Sequence, residues 1–211
     1  MPERKEPLSL LNKQFKDMYE DFLETVRIND EVPEFELDAY HNGKISKWST
    51  KSAKGKWLVV IFYPADFTFV CPTELEETAR LYKDFKKAGA EVVSVSTDTA
   101  FVHKAWHDHS PAIKKVDFPM LADPAGKISR MFGVYIEDEG LDLRGTFVID
   151  PKGMLKTMEI HDNSIGRNIE ETLRKIIAAS YVYSHKGEVC PVSWSPGKKT
   201  LKPSEKLVGQ I

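Results

Sequence analysis

The run Trp57-Leu58-Val59-Val60-Ile61-Phe62-Tyr63 is aliphatic or aromatic throughout, with no polar interruption. A strand with one wet face alternates apolar and polar residues. An unbroken run of this kind reads as a strand buried on both faces. It is also far too short to cross a bilayer, which takes roughly 18 or more apolar residues. The chain is therefore expected to form an α/β sheet with cover on both sides.

The residues around this strand set the element order. Phe35, Leu37 and Ala39 alternate with charged residues, His41-Asn42-Gly43-Lys44 supplies a turn, and Ile45 and Trp48 follow, which predicts a hairpin. After the strand comes a loop from Pro64 to Val70. Cys71-Pro72-Thr73-Glu74 then opens a helix with Leu75, Ala79, Tyr82 and Phe85 on one face. Lys86 and Lys87 suit its C-terminal end, and Gly89 stops it. Val92–Val95 reads as a strand, and 100–108 as a helix. Gly145–Asp150, the turn Pro151-Lys152-Gly153 and Met154–Ile160 read as a second hairpin. Ile169, Leu173, Ile176 and Ile177 mark a final helix. The order β-α-β, a helical connection, then β-β-α predicts a thioredoxin-like α/β sandwich, a mixed central sheet flanked by helices.

Two segments flank that unit. Leu8, Leu11, Phe15, Met18 and Phe22 step by three and four, as one face of an amphipathic helix does. The stretch from Tyr183 to Ile211 holds Pro191, Pro196, Pro203 and three glycines, and reads as an extended, mobile tail. The expected division is an N-terminal helical extension over 1–26, a core domain over 27–182 and a C-terminal tail over 183–211.

Composition narrows the function. Thirty Lys and Arg against 32 Asp and Glu give a net charge of -2, which argues against a chain that coats nucleic acid or an anionic membrane. A hydrophobic content of 41% excludes a wholly disordered chain. Two cysteines are too few for a disulfide-stapled scaffold. The first residues, MPERKEPLSLLNKQF, lack the apolar core of a secretory leader, so a cytoplasmic location is expected, where thiols stay reduced.

Cys71 falls where the buried strand's loop meets a helix N-terminus. The free N–H groups and positive dipole end there favour a thiolate, the nucleophilic form. The bland reading is a small buried hydrophobe, the usual fate of a free cysteine. Its neighbours weigh against that. Pro64, Thr68 and Cys71 form P-x-x-x-T-x-x-C within Phe67–Glu74, FTFVCPTE. Downstream come Leu143-Arg144-Gly145-Thr146-Phe147 and Glu188–Gly197, EVCPVSWSPG. In this order the three segments resemble the typical two-cysteine peroxiredoxins, of the alkyl hydroperoxide reductase C and thioredoxin peroxidase branch. The resemblance runs from about Arg27 to Gly197.

The resemblance implies a thiol-dependent peroxidase acting on hydrogen peroxide and organic hydroperoxides, with no bound cofactor or metal. It matches Cys71 to the peroxidatic cysteine and Cys190 to the resolving cysteine of a partner chain. It matches Thr68 to the residue that aligns the peroxide and Pro64 to the shield of the thiolate. Arg144 matches the arginine that stabilises the thiolate, and Glu74 a carboxylate that orients arginine. It further implies an intersubunit disulfide, a thioredoxin or flavoprotein reductant, and a homodimer that can build a decameric ring. Readily over-oxidised members carry a Gly-Gly-Leu-Gly loop and a C-terminal Tyr-Phe helix. Here His109–Asp117 reads HSPAIKKVD and the chain ends LKPSEKLVGQI, so Cys71 is expected to resist sulfinic acid formation.

Other signals carry less. His103, His107 and His109 have spacing that can share a metal, but read better as caps on an exposed helix end. Arg130 and Arg167 read as solvated surface. Trp194 either seals the tail against a neighbour or packs within the chain. No C-x-x-C, phosphate-binding or dinucleotide-binding motif occurs. The competing reading is a redox-regulated holdase, which would survive Cys71→Ser where a peroxidase would not.

Overall fold

The computed structural model describes residues 25–210. The amphipathic segment expected over Leu8–Phe22 lies outside the described residues. Among the described residues, nine strands and four α-helices follow in chain order. The first hairpin is β1 (Glu36–His41) and β2 (Lys44–Ser49), closed as expected at Asn42-Gly43 with His41 opposite Lys44. The apolar run forms β3 (Trp57–Phe62), buried at every position. Helix α1 (Cys71–Lys87) leads to β4 (Ala90–Ser96), and α2 (Ala100–His109) leads to β5 (Met120–Ala122). Helix α3 (Lys127–Met131) precedes a small hairpin of β6 (Tyr135–Ile136) and β7 (Leu141–Asp142). The late hairpin is β8 (Arg144–Ile149) and β9 (Leu155–His161), and α4 (Ile169–Ser184) closes the domain.

Seven strands make one sheet in the order β2-β1-β5-β4-β3-β8-β9. β3, β4 and β5 run parallel, and the outer pairings are antiparallel. This is the mixed sheet that the element order predicts. β5, α3 and the β6–β7 hairpin are additions that the sequence reading did not contain.

The pleat of β3 divides the core. Trp57, Val59, Ile61 and Tyr63 pack with Leu75, Phe85 and Trp106 and with Ile169 and Ile176 of α4. Leu58, Val60 and Phe62 pack on the other side with Phe35, Phe132, Phe147 and Leu155. Both layers exclude water from β3, which therefore carries no polar side chain. At roughly 25 cal/mol per Å2 of apolar surface, this burial is the main force holding α1 and α4 against the sheet. Gly145 is required at its position. A Cβ there would lie 2.7 Å from both Phe147 and Val134, so the strand beside the aromatic cluster has no room for a side chain.

After α4 the chain is irregular. Val189 and Leu201 exchange two backbone hydrogen bonds at 2.9 and 3.0 Å, closing a loop that contains Cys190 and Trp194. Trp194 is buried, packs 4.9 Å from the Tyr181 ring and donates from Nε1 to the Lys198 carbonyl at 3.0 Å. Trp194 thus packs within the chain, against α4.

Candidate active site

Strand β3 ends at Phe62, and the chain turns through Pro64–Val70 before α1 begins at Cys71. Pro72 holds the first helical turn, where its missing N–H breaks no helical bond. Cys71 is therefore fixed at the helix N-terminus and is 0% exposed. Pro64 is buried beneath the loop. Phe67 takes a left-handed conformation with φ 56°, which a non-glycine residue adopts only when its surroundings hold it. Thr68 is half-buried, and its Oγ1 donates to the Ala65 carbonyl at 2.8 Å. With that hydrogen engaged, the hydroxyl lone pairs are left to accept a hydrogen bond.

Arg144 opens β8 beside this helix start. Its Nη1 lies 3.4 Å from Cys71 Sγ and 3.0 Å from Glu74 Oε2. Its Nε and Nη2 donate to the Asn163 carbonyl at 3.1 and 2.8 Å. The guanidinium is thus held on three sides, with Nη1 facing the sulfur. Glu74 lies one turn into α1 and takes a second arginine. Arg167 donates to it from Nη2 at 2.7 Å, from Nε at 3.0 Å and from its backbone N–H at 2.8 Å. Burial alone would raise the Glu74 pKa, but the hydrogen bonds and charge of Arg167, with the charge of Arg144, hold it below its ordinary value. Two guanidinium groups around one carboxylate leave a net positive centre next to the Cys71 sulfur.

Arg167 was expected on the solvated surface, and the structure corrects this. Its side chain is 1% exposed, and it also donates to the Gly145 carbonyl at 2.8 Å. The pull is the buried carboxylate, which costs several kcal/mol if left unpaired. Nothing local in the sequence marks it, since Glu74 and Arg167 are 93 residues apart.

His103 needs the same correction. It does not cap an exposed helix end. Its side chain is 0% exposed, with Nδ1 2.8 Å from Asp66 Oδ2 and Nε2 3.1 Å from the Leu121 carbonyl. His107 faces the Tyr40 hydroxyl at 3.2 Å, and His109 the Ala105 carbonyl at 2.7 Å. Among the described residues no group of three or more His, Cys, Asp and Glu is placed to hold a metal ion.

Two residues before Arg144, Asp142 is fully buried and its carboxyl oxygens have no hydrogen-bond partner among the described residues. Burial pushes its pKa up to about 8, with the nearby Asp123 and Asp98 charges adding to the rise.

Cys190 stands apart from this centre. It is half-buried, and its Sγ lies 3.9 Å from the Ala178 carbonyl. Ala178 is nine residues along α4 from Ile169, or about 14 Å by helix rise. Burial pushes the Cys190 thiol up, opposed by Arg174 and reinforced by Glu188. Both cysteines are free thiols. The sequence-predicted residues thus fall into a cluster of Cys71, Glu74 and Arg144, a loop carrying Pro64 and Thr68, and a separate Cys190.

Residues 28–158 match the family model described as AhpC/TSA family, and residues 181–210 match the C-terminal domain of 1-Cys peroxiredoxin. Alkyl hydroperoxide reductase C of Pseudomonas aeruginosa (strain UCBPP-PA14) is 55% identical over 184 residues, covering 87% of this chain and 98% of that protein. Alkyl hydroperoxide reductase C of Escherichia coli (strain K12) is 49% identical over 184 residues, with the same coverage of 87% and 98%. The structure is similar to the crystal structure of Enterococcus faecalis AhpC, with a TM-score of 0.77 and 46% identity over 79% of this chain and 100% of that one. It is also similar to the reduced 2-Cys peroxiredoxin of Plasmodium vivax, with a TM-score of 0.80 and 31% identity over 85% of this chain and 94% of that one.

Proposed function

The chain belongs to the AhpC/TSA family of thiol-dependent peroxidases, and from that premise we propose a residue-level cycle built on Cys71 and Cys190. The Cys71 thiolate attacks one oxygen of a peroxide. The S–O bond forms as the O–O bond breaks, and the leaving oxygen takes a proton to depart as water or an alcohol. Cys71 is left as a sulfenic acid. Cys190 of a partner chain then attacks that sulfur, releasing water and forming an intersubunit disulfide. An external dithiol restores both thiols by exchange and is itself oxidised to a disulfide.

The observation that carries this reading is Arg144 Nη1 at 3.4 Å from Cys71 Sγ, at a helix N-terminus sealed from water. Charge that develops on the leaving oxygen would meet a donor already aimed at it. Thr68, with its hydrogen engaged by Ala65, would accept the peroxide O–H and set the line of attack. Pro64 would exclude water from the sulfur. Glu74 would hold Arg144 in place.

In this reading residues 27–182 are the peroxidase domain and 183–211 the resolving segment. The edge strand β9 exposes Met158 and Ile160, and the loop and α2 expose Phe67, Phe69 and Phe101. These apolar surfaces favour a homodimer that assembles further. A thioredoxin or a flavoprotein would supply the dithiol, in the cytoplasm. Among the described residues no helix is long and apolar enough to cross a membrane.

Non-reducing gels and mass spectrometry after one equivalent of hydrogen peroxide test the cycle. The parent should give a dimer-sized band linking Cys71 to Cys190, absent from Cys71→Ser and from Cys190→Ser. Cys190→Ser should yield a trappable sulfenic acid on Cys71. An unoxidised Cys71 in the parent would refute the assignment.

A further inference from the structure

One of the groups that tie the loop leading into Cys71 to the rest of the molecule is a buried residue of α2, His103, with no place in the cycle above. Asp66 lies two residues after Pro64 and two before Thr68. Its Oδ1 accepts from the Tyr63 hydroxyl at 2.7 Å, and its backbone N–H donates to Asp98 Oδ2 at 2.7 Å. Its Oδ2 meets His103 Nδ1 at 2.8 Å, with both side chains 0% exposed. The other nitrogen of His103 faces the Leu121 carbonyl of β5.

Valence fixes the protons. A carbonyl oxygen only accepts, so Nε2 carries hydrogen. Between Nδ1 and Oδ2 at 2.8 Å a further proton must lie, or two lone pairs would face each other in a dry interior. Whether that proton is drawn on nitrogen or oxygen, the pair has no net charge, which is the form a buried site tolerates. The arrangement is therefore a two-armed brace. One arm grips the sheet, and the other grips the loop between the peroxide-facing threonine and the shielding proline.

The path from His103 to the reacting atoms is short. Asp66 is flanked by Ala65, whose carbonyl fixes the Thr68 hydroxyl, and by Phe67, whose positive φ must be maintained by its surroundings. We infer that His103 is a positioning residue for the peroxide step, holding the Pro64–Val70 loop in its reactive shape through Asp66. The inference rests on the assignment of Cys71 as the attacking thiol.

Two substitutions separate the arms. In His103→Asn the amide nitrogen falls where Nδ1 was, keeping the arm to Asp66 and losing Leu121. In His103→Gln the amide reaches the Nε2 position, keeping Leu121 and losing Asp66. Both are made in a Cys190→Ser background. The rate of Cys71 oxidation by hydrogen peroxide is measured beside its alkylation by iodoacetamide, which needs the thiolate but not the aligned loop. The glutamine variant should lose about tenfold to a hundredfold in the peroxide rate, the scale of an ångström of misplacement, with little fall in alkylation. The asparagine variant should stay near the parent. Equal peroxide rates in the two variants, or equal losses in both reactions, would overturn the inference. A parent that does not react with peroxide would instead refute the Cys71 assignment. If the glutamine variant does not fold, Asp66→Ala cuts the same contact from the loop side and should show the same loss. Asp66→Asn, whose amide can donate to Nδ1, should restore the rate, and its failure to do so would also count against the brace.

Discussion

The two thiols occupy opposite kinds of surroundings. Cys71 is sealed in the core, at the start of a regular helix, beside two buried arginines that share Glu74. Cys190 is half-buried in an irregular loop that a two-bond bridge closes and that the Trp194 side chain, with a hydrogen bond from Arg174 to the Trp194 carbonyl at 2.9 Å, holds against α4. The contrast maps onto the two steps of the proposed cycle. Attack on a peroxide requires fixed donors around a fixed sulfur. Disulfide formation requires one thiol to leave its place and the other to be uncovered, so it draws on segments of low local stability. A chain that made both regions rigid would oxidise once and stop.

Removing the charge beside Cys71 tests the rigid half most severely. Arg144→Gln, in a Cys190→Ser background, should slow peroxide oxidation of Cys71 by about 10² to 10³-fold, the range for loss of one preorganised donor. An unchanged stopped-flow rate would break the comparison at its stronger end.

Loosening the tail should do the reverse. Trp194→Ala removes the largest buried group that holds the Cys190 loop, a kind of truncation that costs several kcal/mol in a packed site. The peroxide step should stay at the parent rate while disulfide formation becomes severalfold faster. Sulfinic acid on Cys71, expected to be low in the parent at low peroxide, should fall further, because the sulfenic acid is consumed sooner. More sulfinic acid in the variant, read by mass spectrometry, would mean that Trp194 presents Cys190 rather than restrains it.

A third effect concerns stability alone. Asp142 has a folded pKa near 8 against about 3.9 in an unfolded chain, so folding favours its neutral form. Below about pH 4 the group is neutral in both states and costs nothing. The cost grows as pH rises toward the folded pKa and levels off above it. Asp142→Asn removes that cost, so its melting-temperature advantage should widen from pH 5 to pH 8 with activity unchanged. Glu74 has the opposite sign: its lowered pKa contributes stability above the unfolded value that is lost as pH falls through the folded one. A gap between Asp142→Asn and the parent that stays flat with pH would show that Asp142 folds ionised.

Much of this was legible in the sequence, and the gaps have a common cause. β3, α1 and Cys71 are read from neighbours in the chain: an apolar run, a helix-starting proline, a stopping glycine. Arg144, Glu74 and Cys190 came through a resemblance carried by short motifs. Arg167 and β5 had no such signal. Arg167 is defined by a carboxylate 93 residues away, and Met120–Ala122 becomes a strand only because β1 and β4 flank it. His103 was misread because three histidines in a row of polar spacing look like surface. The sharper signal was its step of three from both Ala100 and Trp106, which puts it on the buried face of α2.

The grip on Arg144 also has a genetic consequence. Two of its three supporting contacts end on the Asn163 backbone carbonyl, an atom that every amino acid supplies. Codon changes at position 163 leave that acceptor in place, and the Asn163 side-chain oxygen has no hydrogen-bond partner among the described residues to lose. The orientation of the guanidinium is therefore buffered against drift on that side. The mutational target is concentrated at Glu74, where a single nucleotide change can strand two buried positive charges at once.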